Sequence, residues 1–342
     1  MDKEFEIKPL DRSTLKEQIV VYKQAFNSTK NEDEIFQIWN NKHYMNPLGD
    51  SLVFGAYHDG KLVGMNSYMP VEYQYQGKVI PMLQSCESGV IPEYQGKGIW
   101  SKVVRGAIDF IFNQTKYQAV IGFPNYRNSY PGFQKMNWET LFNMNNYVMI
   151  NNPKLFSKSI FKGKKILQLF GGFIVLQRIG LCFPGCGYGK YSIGGCGLDE
   201  LLWNDDNNVL SVTHTNELLN WKKKYKGIKT IAIREGSGVQ ASCIYSISEY
   251  NGERIIKIEK CVVANNATMT LKKAIALFCK FFAKEYRDVV FIRVWSMPQS
   301  DMTSALKKLV FMKSSHPNPF IIKQEGNEYS NKKWNLSFFD LD

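Results

Sequence analysis

The sequence predicts an α/β chain of the α+β kind, built as two similar halves, each a mixed, mostly antiparallel sheet flanked by helices. Three observations predict it. Apolar runs of strand length face each other across short turns that carry glycine. A glycine-rich loop leads directly into a helix with one apolar face. The order of strands, turns and helix then recurs, with Gly60 and Gly236 lying 176 residues apart and Gly77 and Gly252 lying 175 apart. A repeat at a single offset marks a duplicated domain.

Length and composition agree with this. The 342 residues exceed one typical domain. An apolar fraction of 44%, with 14% aromatics, is ample for packed cores and excludes a disordered chain. The expected division is residues 1–150 as a ligand-binding domain, 151–198 as a connector, and 199–342 as a degenerate copy.

In chain order, Ser13 to about Phe26 reads as a helix capped by Ser13 or Thr14. Leu52–Tyr57 and Leu62–Met69 flank Asp59-Gly60, a strong hairpin turn. A second turn falls at Gln76-Gly77, and the next strand runs from Val79 into Gln84–Ser101, QSCESGVIPEYQGKGIWS. This stretch begins extended, turns at Pro92 and enters the loop Gln95-Gly96-Lys97-Gly98. Ile99, Val103, Val104, Ala107, Ile108, Ile111 and Phe112 then mark one buried helix face. A glycine-rich turn opening a helix is a ready anion site, because the free N–H groups of the first turn point at the anion. On its own such a turn is as often only a turn.

Tyr117–Phe123 is a short strand leading to Pro124-Asn125. The connector holds an apolar run, Ile166–Phe183, interrupted by Gln168, Gly171-Gly172, Gln177 and Arg178. It is too short and too polar to span a membrane, and is expected to be a buried or interdomain helix rather than a membrane-surface contact. The following CFPGCGYGKYSIGGCG reads as an irregular connector or substrate loop. In the second half, Thr230–Arg234, Val239–Ser248 and Ile255–Val263 are strands. A helix from about Thr268 to Lys284, a strand Val289–Trp295 and a helix ending at Phe311 complete the set. Where the first half has VIPEYQGKGIW, the second has VVANNATMTLKK, which lacks glycine and cannot form the same phosphate nest.

The string V-x-P-x-Y-Q-G-K-G-I before an amphipathic helix resembles the acyl-coenzyme-A loop of the GNAT (Gcn5-related N-acetyltransferase) superfamily. Its usual wording is Val-x-Pro, two residues, then Arg/Gln-x-x-Gly-x-Gly/Ala. Val90, Pro92, Gln95 and Gly98 match. Trp100 stands at the final small position, where its indole either reshapes the pyrophosphate pocket or faces the neighbouring strand. Asn125 and the segment SYPGFQKMNW, Ser129–Trp138, resemble the next motif of that superfamily. The resemblance covers residues 4–138 well and 199–342 loosely, so the fold it implies is two GNAT-like domains with coenzyme bound only by the first.

The resemblance also implies roles. Ser88, Val90 and their neighbours offer backbone groups to a pantetheine arm. The N–H groups of Gln95, Gly96, Lys97, Gly98, Ile99, Trp100 and Ser101 hold the pyrophosphate, Lys97 adds charge, and Asn125 contacts the coenzyme. Glu87, the carboxylate of the strand before the loop, is the candidate general base, set against an ordinary strand glutamate paired with a lysine or arginine. Gln84, Cys86 and Ser88 are expected to alternate onto the opposite face and to line an acceptor pocket. Phe133 occupies the position of the family's frequent proton-donating tyrosine, which leaves Tyr130, one helical turn earlier, as candidate acid. Cys182, Cys186 and Cys196 with His214 match no tight zinc template, and no metal is expected. His43, His58 and His316 read as isolated.

The expected reaction is transfer of an acetyl or short hydroxyacyl group from acyl-CoA to a primary amine. Proteins resembling this one serve surface-polysaccharide synthesis, so a nucleotide-linked amino sugar is the first acceptor. A protein amine, another small amine, and a non-catalytic acyl-CoA-binding protein are the alternatives. The formal charge of +12 suits an anionic partner, whereas the scattered basic residues argue against a nucleic-acid stripe. A charged N-terminus without an apolar signal core, and seven widely spaced cysteines, point to a reducing cytoplasm.

Overall fold

A computed structural model describes residues 5–160, 188–203, 206–250 and 252–340. The apolar run at 166–183, with Cys182 and Cys186, lies outside the described residues. In the first half β1 (Glu6–Leu10), α1 (Leu15–Ala25) and α2 (Glu32–Trp39) precede the long meander β2 (Leu52–His58), β3 (Lys61–Tyr75) and β4 (Lys78–Val90). Then come α3 (Ile99–Gln114), β5 (Ala119–Gly122), α4 (Tyr130–Lys135), β6 (Glu139–Ile150) and α5 (Pro153–Ile160). The second half runs β7 (Tyr191–Gly195), β8 (Leu210–Val212), α6 (Asn216–Lys226), β9 (Lys229–Glu235), β10 (Gly238–Tyr250) and β11 (Glu253–Val263). It continues with α7 (Leu271–Glu285), β12 (Phe291–Ser296), α8 (Asp301–Lys308), β13 (Met312–Lys313), β14 (Asn318–Gln324) and β15 (Trp334–Asn335).

The hairpins follow from local chemistry. Gly60, Gly77, Gly236 and Gly252 all have φ between 60° and 75°, the left-handed region that a β-hairpin turn requires. Thr14 stands at the N-cap of the first helix, as expected, but makes no side-chain cap there; the capping side chain belongs to Asp11. The Asp11 carboxylate accepts from the Ser13 N–H at 2.8 Å and caps the short 3-10 turn that leads into α1. The glycine-rich stretch read as an irregular connector contains β7, which pairs antiparallel with β9 from Tyr191↔Glu235 to Gly195↔Ile231. Among the described residues it is the sheet's outer strand and pairs with β9 alone, a position where short length and glycine are tolerated.

One sheet runs through the molecule in the order β1-β2-β3-β4-β5-β14-β6-β12-β11-β10-β9-β7. Each half contains a parallel pair of the main strands, β4 with β5 and β11 with β12, and the short β8 and β15 are also parallel. The halves exchange strands. β14, from near the C-terminus, lies between β5 and β6 and is antiparallel to both. β6 pairs through its first part with β14 and through its last part, Asn145–Ile150, with β12. Leu210, Val212, Phe320 and Trp334 pack with Met69, Tyr73, Met82 and Ile121 in a core common to both halves. A fragment of residues 1–152 therefore lacks the strand that satisfies the edges of β5 and β6. It is expected to aggregate, which light scattering of the purified fragment checks. A monodisperse fragment would show that β14 is dispensable.

Candidate active site

β4 is where the chain departs from a regular sheet. It pairs with β5 only from Leu83↔Val120 to Ser85↔Gly122, although β4 itself continues to Val90. The edge of residues 86–90 that would face β5 is thus left open beyond Gly122. On its other side β4 pairs with β3, and the register slips between Asn66↔Ser88 and Tyr68↔Ser85, an extra residue opposite Ser67. Such a bulge bends a strand and re-aims its side chains. It also breaks the simple alternation expected of Gln84, Cys86, Glu87 and Ser88. The second half repeats the device, with a slip between Ile244↔Lys260 and Tyr245↔Ile258 that places Glu259 in the bulge. In both halves a serine of the neighbouring strand donates to the bulged glutamate: Ser67 to Glu87 at 3.1 Å, and Ser246 to Glu259 at 2.5 Å.

Above the open edge lies the glycine loop. Gly98 has φ 72° and forms the N-terminal boundary of α3 with no side-chain cap. The first intrahelical bond runs from the Lys102 N–H to the Gly98 carbonyl at 3.2 Å, so the N–H groups of Ile99, Trp100 and Ser101 have no partner in the helix. Gly96, with φ 77°, gives the loop its second left-handed step. A Cβ at either glycine would meet no protein atom within 4 Å, so the space above the loop is open. The Gln95 amide donates to the Val90 carbonyl at 3.0 Å and ties the loop to the strand end. The Lys97 ammonium stands 4.7 Å above the Tyr94 ring in an exposed position. The counterpart in the second half is built differently, although a pocket of about 540 Å³ lies beside it, lined by Asn265, Thr270 and Lys272 among others. Thr270 caps α7 with its own hydroxyl, accepting from the Lys273 N–H at 3.3 Å, and residues 264–270 contain no left-handed backbone.

Glu87 does not stand free. A π-helical turn, Asn40–Tyr44, presents Lys42 and His43 to it, and the Lys42 ammonium forms a close ion pair with its carboxylate. His43 Nε2 lies 3.0 Å from the other carboxylate oxygen without the alignment of a hydrogen bond, while His43 Nδ1 is 2.9 Å from Ser51 Oγ. Burial raises the Glu87 pKa, but the Lys42 ammonium first, and His43 beside it, outweigh this and hold the carboxyl well below its ordinary value. The Lys42 side chain is 5% exposed and that of His43 0%, against 18% for Glu87, so the carboxylate is the member of the cluster open to a ligand. His43, expected to be isolated, is thus part of this cluster. No sequence signal marked it, because Lys42 and Glu87 are 45 residues apart and only the fold joins them.

The remaining residues are placed as follows. The Trp100 indole faces β4 and α4: its N–H donates to Ser88 Oγ and its ring meets Phe133 edge-on at 5.0 Å. A Cβ at Gly132 would come within 2.2 Å of that indole, so a glycine is required where α4 crosses it. Phe133 is buried between Trp100 and Trp138. The Tyr130 hydroxyl lies 2.9 Å from Thr140 Oγ1 and accepts from the Gln134 amide at 2.9 Å. Asn125 builds the turn before α4, its side-chain oxygen accepting from the N–H groups of Arg127 and Asn128 at 3.0 and 3.2 Å. At the foot of the open β4 edge, Gln84, Ser85, Cys86 and Phe123 line a pocket of about 300 Å³ together with Lys257, Trp295 and Phe338 of the second half. A larger cleft of about 870 Å³ follows the second half's own bulged strand. Cys86, Cys196, Cys243, Cys261 and Cys279 form no disulfide among the described residues. Among the described residues no cluster of metal-ligating side chains occurs, and no helix is long and apolar enough to cross a membrane.

This fold and this loop define a class, that of acyl-CoA-dependent N-acyltransferases built on a GNAT domain. Residues 6–141 match the family described as acetyltransferase (GNAT) domain. Among solved structures, it is similar to a probable N-acyltransferase from Enterococcus faecalis, with TM-score 0.64 and 14% identity over 94% of this chain and 72% of that one. A GCN5-related N-acetyltransferase from Anabaena variabilis gives TM-score 0.57 and 13% identity, covering 94% and 73%. Saccharomyces cerevisiae N-myristoyltransferase with bound myristoyl-CoA gives 0.60 and 11%, covering 94% and 78%. Identities this low speak to the fold. No curated protein matches the sequence.

Proposed function

We propose that this chain moves an acyl group, acetyl or short hydroxyacyl, from acyl-CoA to a primary amine seated between its two halves. A nucleotide-linked amino sugar for surface polysaccharide is the first acceptor to test. The observation that carries this reading is the open edge of β4, with an uncapped helix start above it and a pocket walled by both halves at its foot. Acyl-CoA, when bound, supplies the thioester. The edge of residues 86–90 offers backbone groups to an extended arm, and the N–H groups from Gln95 to Ser101 meet the phosphates.

The neutral amine attacks the thioester carbonyl, an N–C bond forms and the C–S bond breaks, and the coenzyme leaves as a thiolate. Glu87, held ionised, takes up directly or through a water the proton that the attacking nitrogen sheds, and its charge favours the ammonium that forms on the way. Tyr130 is the proposed donor to the thiolate. Phe133 has no proton to give and the Tyr130 hydroxyl already has two partners, which favours a second reading as a non-catalytic acyl-CoA-binding protein.

A thiol-release assay with several acyl-CoAs and a panel of amines, a protein amine included, separates the two. Amine-dependent thiol release is expected, and acyl-CoA binding without it would leave only the second reading. Tyr130→Phe is expected to lower kcat about tenfold or more if the phenol delivers the proton. A kcat equal to that of the unaltered protein would assign Tyr130 to packing. Titration calorimetry is expected to give one coenzyme per chain, since the second helix start has no glycine turn and one of its N–H groups is capped by Thr270; two equal sites would contradict this.

A further inference from the structure

The pocket at the foot of β4 contains two polar groups whose needs the protein itself leaves unmet. Gln84 is 2% exposed, and its side-chain carbonyl oxygen has no hydrogen-bond partner. A buried acceptor in that state calls for an N–H or O–H donor. Lys257 reaches the same pocket from β11, and it forms no ion pair among the described residues; its ammonium stands 5.3 Å from the Phe338 ring. Burial pushes its pKa down; the Glu259 carboxylate counters this, and Lys226 and Arg293 add to it. Of the residues that line the pocket, Lys257 is the one that carries a charge. The other walls are aromatic, with Trp295 and Phe338 in contact at 4.8 Å and Phe123 stacked on Phe320 at 4.9 Å. A cavity with apolar walls and a few convergent polar groups is the ordinary form of a small-molecule site.

We propose that this pocket is the acceptor site and that its ligand is an amine bearing an acidic group, with an N–H donated to Gln84 Oε1 and the anion on Lys257. This rests on the acyltransferase reading and narrows it. A phosphate and a carboxylate meet Lys257 with the same chemistry. The second half, which has no glycine loop at its own helix start, thereby contributes the residue that selects the acceptor.

The test uses the full chain with acetyl-CoA and two matched pairs of amines: glucosamine against glucosamine phosphate, and pentylamine against aminovalerate. In at least one pair the acidic member is expected to have the higher kcat/KM by about tenfold or more, and Lys257→Met is expected to erase that preference. The pair that responds distinguishes phosphate from carboxylate. Neutral amines used as well as acidic ones, or a preference that survives Lys257→Met, would overturn the proposal. Where none of the four amines is acylated, alkylation of Cys86 by iodoacetamide, followed by peptide mass spectrometry, gives the answer. The acidic amines are then expected to slow labelling at least about threefold, in the unaltered protein and not in Lys257→Met. Absence of protection would also overturn it. Acetyl-CoA calorimetry on the same protein reports on the acyltransferase reading separately: failure to bind coenzyme sinks that reading, whereas the Cys86 result sinks only the acceptor assignment.

Discussion

Gly98→Val is expected to weaken acetyl-CoA binding at least about tenfold, or about 1.4 kcal/mol, in a protein that remains folded. Two effects combine. Gly98 sits at φ 72°, a conformation that costs an L-residue about 1–2 kcal/mol and a β-branched one the most, so valine shifts the loop. The new side chain also projects into the open space above the loop, where the phosphates are proposed to lie. Gly60→Val separates these effects. Gly60 has φ 75° and an equally empty Cβ position, but it belongs to the β2–β3 hairpin. It is expected to lower thermal stability without changing acetyl-CoA affinity. Calorimetry on both variants decides, and unchanged affinity in folded Gly98→Val would show that the loop does not hold the coenzyme.

The features legible in the sequence are those set by local chemistry. The turns at Gly60, Gly77, Gly236 and Gly252 are readable because left-handed backbone selects glycine, and α3 because its apolar positions follow the helical period. The loop from Gln95 to Gly98 was readable for the same reason. What depends on long-range pairing was not. Nothing in residues 318–324 tells that Ile321 lies opposite Gly122, yet that insertion joins the two halves into one sheet. The bulge on β4 escaped a reading based on alternation, because it is defined against Ser67 on another strand. Lys257 carried no motif. It acquires meaning from Gln84, Trp295 and Phe338, which converge on it only in the folded chain.

Glu87→Gln is expected to cost stability first and turnover second. The Lys42 ammonium, 5% exposed, would lose its counter-charge, and removing one partner of a buried ion pair costs about 3–5 kcal/mol. Lys42→Met in the same chain is expected to restore much of this loss, because the desolvated charge is then gone; a double-mutant cycle in urea measures that coupling. The pH dependence has a definite sign. The folded-state pKa of Glu87 is depressed, so its contribution to stability is fully present above the unfolded-state carboxylate value, about 4.3, and is lost as pH falls toward the lower folded value. The Gln variant should lack that acid-side loss. For turnover, a carboxylate already ionised throughout the neutral range cannot produce the acid limb of the kcat/KM profile, so that limb should follow the acceptor amine's own pKa. Under conditions where the variant is folded, turnover is expected to fall about 100-fold, most strongly below the amine's pKa. If folded Glu87→Gln acylates the amine at the unaltered rate at every pH, Glu87 serves only to neutralise Lys42 and to hold the bulge against Ser67.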